Sequence, residues 1–177
     1  MSSQTEYYLS GQLKNFRYIS WNDPNLRKKY YLSTHNVFDN DKINHNTARM
    51  MVHYELKEGQ KFQVFEKLKG LYSIKFVETS YHFDNWSVQI LKNNGVMEGC
   101  LTEKEENATL FKFIQKPKSD NGDNEKHANV YYIYSPLLDN YLTVNLNFRR
   151  DSFSFYLKGT TNIEEATEWE FSLNRSQ

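Results

Sequence analysis

Two stretches of this chain end alike: Ala108-Thr109-Leu110-Phe111-Lys112-Phe113 and Ala166-Thr167-Glu168-Trp169-Glu170-Phe171. Both read Ala-Thr-x-aromatic-x-Phe. Apolar and polar residues alternate through each, the period of a strand with one buried face. A third stretch, Gly59-Gln60-Lys61-Phe62-Gln63-Val64, keeps the alternation with other residues. Three similar endings spread along one chain make an internal repeat the first possibility to test.

Working back from each ending finds a shared opening. Phe16-Arg17-Tyr18-Ile19, Leu71-Tyr72-Ser73-Ile74 and Val130-Tyr131-Tyr132-Ile133 each place an apolar residue three before an Ile. The Ile residues are 55 and 59 positions apart, and each lies 43, 37 or 36 positions before its closing aromatic. Differences of that size are what surface-loop insertions produce. Two further strand candidates lie inside each unit. The second strands are Tyr30–Thr34, Trp86–Ile90 and Tyr141–Val144; the third are Met50–Tyr54, Val96–Leu101 and Phe153–Leu157. Asp84-Asn85 and Asp139-Asn140 precede two of the second strands, and Asx pairs favour turns by bonding nearby backbone. The expectation is a single all-β domain over 1–177, twelve short strands in units at about 11–68, 69–116 and 127–174. The stretch 117–128 has turn chemistry and no periodicity, which predicts a mobile loop. A second insertion spans 36–47.

Bulk composition narrows the function classes. A chain of 177 residues is one typical domain, long enough to bury a core without disulfides or metal. With 13 Tyr and 12 Phe it favours pleated structure. Its 22 basic and 22 acidic side chains cancel, so electrostatics give no case for nucleic acid or an anionic membrane. One cysteine, Cys100, rules out an intramolecular disulfide. Met1–Glu6 carries no basic and apolar leader pattern, and no apolar run approaches the ~18 residues of a membrane span. A cytoplasmic location is the expectation.

The pattern of three four-strand units, opening on apolar-x-x-Ile and closing on aromatic-x-apolar, resembles the β-trefoil superfamily. The third unit is most similar to repeats of ricin-B-type lectins and fungal trefoil protease inhibitors, which close on a similar Trp-x-Phe. The resemblance implies pseudo-threefold symmetry, with Ile19, Ile74, Ile133, Phe62, Phe111 and Trp169 in a shared core. It also implies a binding protein: a lectin for glycans or glycoproteins or, in the alternative, a protease inhibitor or cytoskeletal scaffold with a protein partner. The ricin-type Gln-x-Trp triplet falls on Gln60-Lys61-Phe62, Thr109-Leu110-Phe111 and Thr167-Glu168-Trp169. None is complete, so no ricin-type sugar ligand is carried over.

From the residues themselves, Asp84-Asn85-Trp86 and Asp139-Asn140-Tyr141 are the candidate carbohydrate sites, with His82 beside the first. Each joins a carboxylate, an amide and a ring, and sugars pair hydroxyls with such polar groups while laying C–H faces on rings. An Asx turn followed by a core aromatic is the competing reading. For a protein partner the candidate anchors are Trp21, Phe148 and Arg149, since aromatic and Arg residues dominate hot spots. His35, Asp39, Asp41 and His45 share a loop, but a calcium loop started at Asp39 would need Gly at position 44 and Glu at position 50, which are Asn44 and Met50. No catalytic motif or cofactor-binding fingerprint occurs. Cys100, in a strand with no neighbour to lower its pKa, reads as a buried structural thiol. The expectation is a non-enzymatic binding protein without cofactor or metal.

Overall fold

The fold was read from a computed structural model, which describes residues 7–11, 30–34, 50–53, 60–77, 86–115, 130–151 and 154–172. Twelve strands are found there, and no α-helix among the described residues. In chain order they are β1 (Tyr8–Gly11), β2 (Tyr30–Thr34), β3 (Met50–His53), β4 (Lys61–Leu68), β5 (Leu71–Val77) and β6 (Ser87–Asn93). They continue as β7 (Val96–Thr102), β8 (Lys112–Gln115), β9 (Val130–Ser135), β10 (Asn140–Asp151), β11 (Ser154–Thr160) and β12 (Trp169–Ser172). No described helix is long and apolar enough to cross a membrane.

Six strands close on themselves. β4 pairs with β5, β8 with β9, β9 with β12, and β12 with β1, all antiparallel. Two bridges complete the ring, Tyr7 with Phe62 and Tyr72 with Phe111. The remaining six form the hairpins β2–β3, β6–β7 and β10–β11, and β11 also pairs with β3 and β7. Closure leaves the ring without an exposed edge, which otherwise invites aggregation.

The ladder register puts the predicted core residues inside. Phe62, Phe111, Trp169, Ile74 and Ile133 are each 0% exposed. Each such side chain contributes about 1.5–3 kcal/mol by leaving water. Three rungs stand at matching places: Val64 opposite Ile74, Phe113 opposite Ile133, and Phe171 opposite Leu9. Leu9 therefore takes the register position expected for Ile19, and β1 begins ahead of the predicted unit boundary at 11. Ile19 and the predicted opening strand 16–19 lie outside the described residues, as do the loop 117–128 and His35, Asp39, Asp41 and His45.

The Ala-Thr halves of the closing segments are not strand, contrary to the alternation reading. Each follows a single 3-10 turn, Glu105–Asn107 or Ile163–Glu165. The Thr hydroxyls act instead as staples. Thr109 Oγ1 accepts from the Ile90 N–H and Thr167 Oγ1 from the Val144 N–H, both at 2.8 Å. Their own N–H groups bond outside any regular ladder, Thr109 to the Val88 carbonyl at 3.2 Å and Thr167 to Thr143 Oγ1 at 2.9 Å. Thr167 also bonds Thr143 Oγ1 at 2.8 Å, and Trp169 Nε1 donates to the Leu142 carbonyl at 3.0 Å. Gln60, fully buried, stands where the first unit has no such Thr.

Cys100 is half-buried rather than buried, with Sγ 4.0 Å from Gln89 Oε1. Strand alternation explains it: Gly99 and Leu101 take the inner face of β7, which turns Cys100 to the other.

Candidate functional site

The turn joining β9 to β10 carries the described candidate residues. β9 delivers Tyr134, paired across the ladder with Tyr141 of β10. Their rings lie 4.6 Å apart with planes tilted by 40°. Tyr132 meets Tyr141 edge-on at 6.1 Å. Between the strands run Pro136, Leu137, Leu138 and Asp139. Leu137 is 77% exposed and Leu138 40%.

Asp139 and Asn140 divide the work of this turn. Asp139 has φ +51°, the left-handed region that Asp tolerates better than most residues. Its carboxylate accepts from the Tyr134 hydroxyl at 2.7 Å. That bond, then partial burial, then the negative charge itself, hold the Tyr134 phenol above its ordinary pKa. Asn140 points inward and is 5% exposed. Its Nδ2 donates to the Leu138 carbonyl at 2.8 Å, locking the turn. Its Oδ1 sits where a Cβ on Gly159 would come within 2.4 Å, so β11 needs glycine there. The result is an exposed carboxylate beside two tilted phenol rings, on an amide-braced turn. Sequence reading missed Tyr134, because only the β9–β10 ladder places it opposite Tyr141.

The Asp84-Asn85-Trp86 turn does not match this one residue for residue. Ser87 pairs with Lys75 as Tyr141 pairs with Tyr134, so Trp86 corresponds to Asn140 and not to Tyr141. The staples agree, since Ile90 and Val144 have the same 54-residue offset as Ser87 and Tyr141. A slip of one residue reverses the face a side chain takes. Trp86 accordingly packs, half-buried, against the core. Asp84, Asn85, His82 and Trp21 lie outside the described residues. Arg149 and Phe148 fall within β10, where Arg149 stands opposite Phe155. The described residues contain no group of three or more metal-ligating side chains.

No protein-family model matches the sequence, and no curated protein matches it. Among solved structures, one named "BEL beta-trefoil apo crystal form 3" is similar over 98% of this chain and 96% of its own, with a TM-score of 0.56 and 15% identity. The chain has a β-trefoil fold. The closed ring and three hairpins are the physical content of that likeness, while a fold alone fixes no ligand.

Proposed function

We propose that this protein is a non-enzymatic, lectin-like carbohydrate-binding trefoil of three four-strand units related by a pseudo-threefold axis. Support for the units comes from the three matching rungs, the two Thr staples and the two 3-10 turns. The observation that carries the binding reading is the Asp139 carboxylate, exposed and oriented by Tyr134 beside the Tyr134–Tyr141 ring pair. A sugar hydroxyl would donate to the remaining acceptor sites of Asp139. A sugar C–H face would rest on the phenol rings. Asn140 supports the turn from within and takes no part in contact.

Trp86 stands level with Asn140 in the ladder, so the reading rests on the Asp139 turn, and Asp84 and Asn85, outside the described residues, stay a proposed second site. A shallow, solvent-facing site gives affinities near millimolar, about −4 kcal/mol, so multivalent glycans would be the natural ligands. A glycan array with the wild type and Asp139→Ala tests this. Expected is binding that the variant loses while its melting stays cooperative. Undiminished binding by Asp139→Ala would exclude the turn. If the wild type retains no glycan, a protein partner becomes the better reading, because Leu137 and Leu138 then stand as an exposed apolar pair beside the tyrosines.

A further inference from the structure

The three matching rungs of the ring converge on a cavity of about 440 Å³ that opens to solvent. Its lining is Tyr7, Tyr72 and Tyr131 from the opening strands, with Val64, Phe113 and Phe171 from the closing ones, plus Gly70 and Lys112. The rings hold one another edge to face: Tyr7 with Phe171 at 5.3 Å, Phe113 with Phe171 at 5.4 Å, and Tyr131 with Phe171 at 5.6 Å. Tyr72 closes the circle against Phe113 at 5.5 Å.

The reason for the opening is legible in the register. Two of the three rungs place Phe beside the axis and the third places Val64. The smaller side chain leaves the bowl unfilled on that side. Gly70, at φ +77°, turns the chain tightly at the same edge, and no atom lies within 4 Å of where its Cβ would stand. Glu66 accepts from the Gly70 N–H at 3.3 Å, and its negative charge holds the Tyr72 phenol above its ordinary pKa. Lys112 is the one formal charge among the lining residues; exposed on β8 between the inward Phe111 and Phe113, and opposite Tyr134 in the ladder, it meets the bowl at its rim.

We propose that this bowl is a second binding site, on the inner face of the strands whose outer face carries Tyr134 and the Asp139 turn, for a small amphipathic acid whose apolar body lies among the five rings and whose anionic group meets Lys112 at the rim. The volume falls in the range of small-molecule sites, which join an apolar lining to a few polar groups. The edge-to-face rings present several apolar walls rather than one flat platform, which suits a compact or folded apolar body over a single sugar face.

The test uses the full chain with 1-anilinonaphthalene-8-sulfonate, followed by calorimetry, beside the uncharged analogue N-phenyl-1-naphthylamine. Expected is saturable binding of one sulfonate per chain to a cooperatively melting protein. Lys112→Gln, on an exposed position, should weaken the sulfonate about tenfold, the worth of a hydrogen bond to a charged group, and leave the uncharged analogue within about twofold. Val64→Phe should weaken both ligands by about tenfold or more, because added side-chain volume occupies the bowl. Asp139→Ala should change neither. No saturable binding by the wild type would overturn the proposal, and so would binding untouched by Val64→Phe. Equal loss of both ligands in Lys112→Gln would overturn the assignment to an acid.

Discussion

The closing segments 102–113 and 160–171 repeat each other part by part, while 60–64 keeps their register with different components. In the first pair, Lys104 N–H bonds Thr102 Oγ1 as Asn162 N–H bonds Thr160 Oγ1, both at 3.2 Å. Ala108 and Ala166 then close matching turns at 3.1 Å, and each Thr staples a neighbouring strand. The first unit has Gln60 for the Thr and Val64 for the second aromatic, yet Phe62 is as buried as Phe111 and Trp169. The core position of the closing aromatic is therefore set by the ladder, and the staple and the last aromatic are adjustable fittings around it.

The largest effects should test that division. Trp169→Ala and Phe62→Ala should each lower stability by about 3–5 kcal/mol, as for large buried aromatics. Urea unfolding measures both. A cost below about 1 kcal/mol for Phe62 would break the equivalence of the three endings.

Next come the staples. Thr109→Ala and Thr167→Ala should each cost about 1–3 kcal/mol, because a strand N–H loses its acceptor inside the protein. Thr167 should cost more, since Thr143 loses a partner as well. The reverse order in thermal melts would show that the two segments are less alike than their bonding.

A smaller change of opposite sign is expected at the odd rung. Val64→Phe should stabilise by about 0.5–2 kcal/mol as a cavity-filling change. Destabilisation would mean the bowl is held open by its neighbours, not left open by the small side chain.

The smallest effect concerns the 3-10 turn Glu105–Asn107. Glu105 bonds Lys67 and lies 3.6 Å from Lys75, joining the turn to β4 and β5. The Lys67 bond first, then the Lys75 charge, hold its carboxyl below the ordinary 4.5. A lowered folded pKa gives stability that is present above 4.5 and lost as pH falls below it. The pair is exposed, so Glu105→Gln should cost under about 1 kcal/mol at neutral pH and flatten the acid limb of the stability profile. The third unit has Ile163 at the corresponding place, and Ile163→Gln should leave that limb unchanged.

Much of this architecture was legible from period and spacing. The strands at 71–74 and 130–133 were readable from the repeated apolar-x-x-Ile spacing, and the ladders extend them to Val77 and Ser135. Two features were not. The opening was read at 16–19 because Phe16-x-x-Ile19 fits the repeat, and those residues lie outside the described ones; the ladder position opposite Phe171 is held by Leu9, which lacks that pattern. The tripeptides 84–86 and 139–141 both read Asp-Asn-aromatic, yet the ladder sets Trp86 level with Asn140 and not with Tyr141. Which face a side chain takes depends on its partner strand, and that information is not local. Tyr134, the residue that orients Asp139, was hidden for the same reason.

The ladder between β1 and β12 sets an order of events for folding. Tyr8 and Ser172 are partners 164 positions apart in sequence. β1 is made well before β12 and waits for it before both of its edges are covered. Long-range closure of this kind slows folding, since the loop entropy is lost before the contacts form. Until β12 arrives, β1 and β9 offer unpaired backbone to any neighbouring chain, so β12 doubles as protection against aggregation. Joining the two strands through a short linker and opening the chain at 94–95, in the β6–β7 turn, would turn that slow pairing into a local hairpin and should speed refolding.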